Sequence, residues 1–245
     1  MSPLTQALIA TFLVSAVSLA GIVFIFSEWS DRLEVLSLSF AAGVLLGTTF
    51  LKLLPEAVHL NPSPGVFIAP LLSMSAFFML ERFLHGFHGH EAGHATLSRY
   101  LILVGDGFHN FIDGVAIASS FIVSPAVGVA TTLAVAAHEI PQEIADYGVL
   151  VSGGLGRLRA LLLNFLSALS AVLGACACFL LGDFVNQHLS YFMAATAGMF
   201  LYIAAADLIP ELHHSRWRNS WLCSVPFFAG ILLMGVLTAV LPEAG

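Results

Sequence analysis

Residues 42–59 read AGVLLGTTFLKLLPEAVH and residues 197–214 read AGMFLYIAAADLIPELHH, so one apolar stretch ending in Pro-Glu and a histidine occurs twice, 155 positions apart. Ala, Gly, Leu, Leu, Pro, Glu and His coincide at seven of the 18 positions. Each copy is nearly long enough to cross a bilayer, which takes about 20 apolar residues of helix. Outward from these two, further apolar stretches divide the chain into eight, at approximately 4–26, 35–58, 66–84, 100–122, 126–151, 158–182, 189–212 and 222–241. The 245 residues are 58% hydrophobic and only 9% charged, with a mean hydropathy of +0.94, far outside the soluble globular range. The expected fold is an all-α membrane protein of eight transmembrane helices with short loops and no soluble domain.

The first stretch lacks a basic leader and a small-residue cleavage site, and is expected to be a retained helix rather than a signal peptide. Cys176, Cys178 and Cys223 all fall in expected spans. The Cys-x-Cys spacing puts the first two on different helix faces, so they are expected as small core residues rather than a disulfide or thiolate site.

The net charge of −7 is less informative than where the basic residues lie. Arg32, Arg82, Arg99, Arg157, Arg159, Arg216 and Arg218 all flank odd-numbered loops, whereas Lys52 is inside the second span. The positive-inside rule therefore puts the odd loops in the cytoplasm and both termini outside. The second and seventh spans then run antiparallel, the pattern of inverted-repeat transporters. Three helices, a central pair and three inverted helices follow, a 3+2+3 bundle. Glu56 and His59 end one copy of the repeat at the outer face, and Glu211, His213 and His214 end the other at the cytoplasmic face. As a symmetric pair they are expected to be entrance and exit points for a cation.

The central pair carries the chemistry. Asp106, His109, Asp113, His138, Glu139, Glu143 and Asp146 lie in two segments otherwise apolar enough to span. An ionisable group at the bilayer centre costs roughly 2.5–3.5 kcal/mol on insertion scales, so each marks a functional site by default. His109 and Asp113 stack on one face with Asp106 a turn earlier, while His138 with Gln142 and Glu139 with Glu143 form two stripes about 100° apart. Asn110 and Gln142 add neutral oxygens. Pro141 removes a backbone hydrogen bond beside these residues and is expected to kink the helix. Imidazole and carboxylate without thiolate suit Zn2+, and also Fe2+, Mn2+, Co2+ or Cd2+, whereas Ca2+ or Mg2+ prefers oxygen alone. The third loop, 85–99, adds His85, His88, His90 and His94, a tract that binds such metals loosely on the cytoplasmic side.

These residues resemble the ZIP (Zrt/Irt-like) family of divalent metal transporters, through FAAGVLLGTTFLKLLPEA (40–57), HNFIDGVAIAS (109–119), HEIPQEIADYGVL (138–150), LLLNFLSALSA (161–171) and AGMFLYIAAADLIPEL (197–212). The nearest branch is the one marked HEIPHE, with Gln142 here in place of its second His. The resemblance implies a metal path between the central pair and the second and seventh helices. It allots His109, Asp113, His138 and Gln142 to the first site of a binuclear centre, and Asn110 and Glu139 to the second, with residue 142 bridging. Glu143 matches the last acidic residue of the motif. It also implies a homodimer, and transport of zinc or a related ion from outside into the cytoplasm of a cell bounded by a plasma or bacterial inner membrane. The partners expected are divalent ions and the lipid bilayer; no nucleic acid and no resident cofactor are expected, the metal being cargo.

Two other classes compete. His138-Glu139 begins like the HExxH helix of a zinc hydrolase, but residue 142 is Gln and Pro141 interrupts the turn that must align the two histidines. A metal sensor that binds without conducting is the other alternative.

Overall fold

The computed structural model of the chain describes residues 1–24, 31–86, 95–152, 154–215 and 221–240, and every regular element among them is helical. Helix α1 spans Pro3–Phe24. Helix α2 (Asp31–Thr48) passes through a π turn at Thr49–Leu53 into α3 (Leu54–Leu60). A short 3-10 turn at Pro64–Phe67 leads to α4 (Ile68–Gly86). The central pair is α5 (Ala95–Val123) and α6 (Pro125–Ser152). Helices α7 (Arg157–Ala168) and α8 (Ser170–Leu180) are one span offset at Leu169, and α9 (Gly182–Gln187) is a short connector. Helix α10 (Leu189–Tyr202) passes through a second π turn at Ile203–Leu208 into α11 (Ile209–His214), and α12 (Trp221–Val240) closes the bundle. Of the expected 85–99 loop, α4 and α5 take the two ends.

Both π turns sit just ahead of a proline, Pro55 and Pro210, at the start of the following helix. A proline inside a helix lacks the N–H for its i−4 partner and crowds that carbonyl, and a widened turn relieves both problems. The two copies of the repeated sequence thus share a backbone irregularity as well as side chains. Helix α6 runs uninterrupted through Pro141.

Among the described residues, four helical stretches are long and apolar enough to cross a membrane: Val35–Leu60, Arg157–Leu180, Leu189–His213 and Trp221–Val240. Helices α5 and α6, at 29 and 28 residues, are longer, with their apolar run interrupted by the ionisable cluster. Helix α2 packs along α12, α10 along α4, α5 along α8, and α1 along α6, with α5 and α6 also against each other.

Small residues set these close crossings, as is usual where lipid removes the hydrophobic drive between helices. A Cβ on Gly43 would stand 2.0 Å from the Phe227 carbonyl oxygen of α12, and one on Gly198 would stand 2.4 Å from the Pro70 carbonyl oxygen of α4. The interior is Ala-rich, with Ala41, Ala42, Ala134, Ala194 and Ala204 among its buried members. Large apolar side chains face outward, for instance Leu71 and Met79 on α4, Leu158, Leu162 and Leu166 on α7, and Phe228 and Leu232 on α12. Cys176, Cys178 and Cys223 form no disulfide with one another.

Candidate metal centre

On α5, His109 and Asp113 are one turn apart and face α6; on α6, His138 and Glu139 face back. The four side chains meet in the interior, with Asp113, His138 and Glu139 at 0–1% exposure and His109 half-buried. His109 Nε2 lies 3.3 Å from His138 Nε2, 3.6 Å from Asp113 Oδ2 and 3.6 Å from Glu139 Oε1. His138 Nε2 lies 3.3 Å from Asp113 Oδ2 and 3.5 Å from Glu139 Oε1.

Those separations have a geometric meaning. Metal–ligand bonds of about 2.0–2.2 Å in a tetrahedron put neighbouring ligand atoms about 3.3–3.6 Å apart. Five of the six edges defined by the four side chains fall in that range, and all four ligand atoms lie within 4.8 Å of one another.

The surroundings prepare the donors. His138 Nδ1 is 3.0 Å from the Ala134 carbonyl oxygen. A carbonyl only accepts, so Nδ1 carries the proton and Nε2 presents its lone pair to the cluster. Neither carboxylate oxygen of Asp113 or of Glu139 accepts a hydrogen bond among the described residues, although all four atoms are buried. Aromatic rings wall the site: Phe77 of α4 stands edge-on to His109 at 5.9 Å, and Phe200 of α10 to His138 at 5.9 Å. Two carboxylates and two imidazoles converging in the interior form a candidate cation site, since buried carboxylates without partners are otherwise costly.

Gln142, one turn after His138 on α6, is half-buried. Asn110 and Glu143 belong to a separate buried group: Asn110 Nδ2 donates to Asp106 Oδ1 at 2.9 Å, and Asn164 of α7 donates through Nδ2 to Glu143 Oε2. Ser167 of α7 donates to Asp106 Oδ2. Sequence reading assigned no role to Asn164 or Ser167; the available signal was their i, i+3 spacing on an otherwise apolar helix. Glu56 is buried and His59 exposed at the end of α3, while Glu211 and His213 are exposed on α11. The side chains of His85 and His214, and residues His88, His90 and His94, lie outside what the structure describes.

Comparison with known proteins matches residues 2–99 and 89–238 to the Zip family, described as ZIP Zinc transporter. Zinc transporter ZIP13 of Pongo abelii is 35% identical over 199 residues, 74% of this chain and 60% of the relative. Zinc transporter ZIP10 of Danio rerio is 36% identical over 148 residues, 60% of this chain and 17% of the relative. Zinc transporter ZIP4 of Mus musculus is 39% identical over 133 residues, 54% and 20% of the two lengths. The chain therefore spans only part of each of these relatives, a fifth or less of ZIP10 and ZIP4. With this match and its long apolar helices, the protein is an integral, multi-pass membrane protein.

Proposed function

Because the chain belongs to the ZIP zinc transporter family, we propose that it carries divalent transition-metal ions, zinc first and Fe2+, Mn2+ or Cd2+ by the same donors, from outside into the cytoplasm. The observation that carries this reading is the near-tetrahedral meeting of His109, Asp113, His138 and Glu139 with their carboxylate oxygens otherwise unbonded. Zinc is the substrate here. A closed set of four thiolates would hold it as structure, whereas carboxylates exchange.

The proposed architecture is eight spans in a 3+2+3 inverted-repeat bundle with both termini outside, nearest the HEIPHE branch. It draws support from packing that exchanges under the repeat: α2 against α12 corresponds to α10 against α4, and Gly43 to Gly198. An ion collects near Glu56 and His59, is held by the four central residues, and leaves past Glu211, His213 and His214 toward the His85–His94 tract as the outer halves shift against the central pair. Gln142, a neutral amide where the resemblance expects a His or carboxylate, lowers the charge available for a bridged second ion. The hydrolase reading is not favoured, since residue 142 supplies no second imidazole one turn after His138.

The test is Zn2+ entry into liposomes holding the purified chain and an internal zinc dye, with His138→Ala beside it. Saturable entry in the parent and loss to background in the variant is the expected result. Tight binding without entry would make the protein a sensor.

A further inference from the structure

One helical turn from the metal centre, on both central helices, lies the second buried polar group. Asp106 and Asn110 supply it from α5 (5% and 2% exposed), Glu143 from α6 (1%), and Asn164 and Ser167 from α7 (0% and 8%). Asp106 precedes His109 on α5 and Glu143 follows Glu139 on the antiparallel α6. Both shifts therefore point the same way, toward the ends that the arginine pattern assigns to the cytoplasm.

The hydrogen bonds within this group do not complete it. Asn110 and Ser167 each occupy one oxygen of Asp106. Asn164 Nδ2 serves Glu143 Oε2 and, at 3.1 Å, the Glu143 carbonyl. Glu143 Oε1 and Asn164 Oδ1 remain, buried and without a hydrogen bond among the described residues. A network that only held helices together would leave neither, because an unmet buried acceptor costs more than a made hydrogen bond returns. Two unmet acceptors on side chains already in contact are donors for a cation. Every side-chain donor to a metal in the group is oxygen. Asn110 and Asn164 can also reverse: a half turn of the terminal amide replaces Nδ2, which donates to a carboxylate, with Oδ1, which binds a cation.

We propose that Asp106, Glu143 and Asn164, with Asn110 beside them, form a second, oxygen-only station for a divalent ion, on the cytoplasmic side of the His109–Asp113–His138–Glu139 centre. It rests on the transport reading and adds α7 to the path. It differs from a bridged second ion on Asn110, Glu139 and Gln142, because two of its donors, Asp106 and Asn164, lie outside that set. Without imidazole it holds a borderline ion less tightly than the first centre and favours harder ions such as Mn2+. An ion that reaches it is nearer to release.

The experiment titrates the full chain in lipid nanodiscs with Zn2+ and with Mn2+, counts bound metal by atomic emission, and reads the zinc ligands by X-ray absorption. The parent should bind a second ion per chain. Glu143→Gln and Asn164→Leu should each lose one ion while keeping the imidazole signature, and His138→Ala should lose the imidazole-ligated ion while keeping one bound through oxygen alone. Glu143→Gln preserves volume and the bond from Asn164, so it decides alone if Asn164→Leu elutes as aggregate. A parent that binds one ion, or a second ion that survives Glu143→Gln and disappears in Gln142→Ala, overturns the proposal. A parent that binds none removes the metal centre itself, and the second station with it.

Discussion

At the residue scale, the proton on His138 Nδ1 is held by the Ala134 carbonyl, so a second proton must go to Nε2, the atom that faces the cluster. In the proposed site, protons and metal compete for one lone pair at His138. Metal binding should weaken as pH falls from about 7.5 to about 5.5, because protons compete with the ion for imidazole nitrogen. Zinc titrations of the purified chain at the two ends of that range check this, and equal affinity at both would remove the imidazoles from the ligand set. His138→Ala should weaken binding at least as much, by roughly 100-fold or more, since it removes a ligand and leaves two carboxylates facing each other. Much of this site is legible in the sequence: His109 and Asp113 share a face by spacing alone, and charged residues inside an apolar span have few other uses. Spacing alone does not join Glu139 to His138, because adjacent residues point about 100° apart on an ideal helix. Only the position of α5 between them makes both reachable. Asn164 and Ser167 are harder still, being small polar residues whose role depends on α7 lying beside α5 and α6.

At the element scale, glycines decide how closely the helices approach. Gly43 and Gly198 each admit a neighbouring backbone where a single methyl would collide with a carbonyl oxygen, and backbone does not swing aside as a side chain does. Gly43→Ala and Gly198→Ala should each cost about 1–3 kcal/mol or more by overpacking. Gly182→Ala, where a Cβ meets nothing within 4 Å, should be neutral. Thermal unfolding of the three variants in detergent separates them, and similar losses at Gly43 and Gly198 are expected from their corresponding positions. That every regular element among the described residues is helical is legible in the composition. The π turns are not, although the prolines beside them are, because an apolar run ending in proline reads equally well as a helix that stops. The structure instead widens one turn and continues, so Glu56 and Glu211 remain on the same helical rod as the buried residues before them.

For the whole molecule, the proposed path gives the loop histidines and the central site separable duties. Deleting residues 85–94 should slow or deregulate zinc entry into liposomes, whereas His138→Ala should abolish it; equal loss in both would merge the two roles. The seven loop arginines give an expected orientation, because basic residues are retained on one side. The pairing of α2 with α12 and of α5 with α8 is not legible, since apolar faces of similar composition do not name their partners. The four residues of the metal centre have one further consequence, for the response to voltage. In the proposed cycle the outer halves move and the central pair holds still, so its two carboxylates hold the ion without travelling with it. An ion that passes from one side to the other would then take its two positive charges through the membrane field, each subject to about 2.3 kcal/mol per 100 mV across the full bilayer. A potential negative inside would therefore draw the cargo inward.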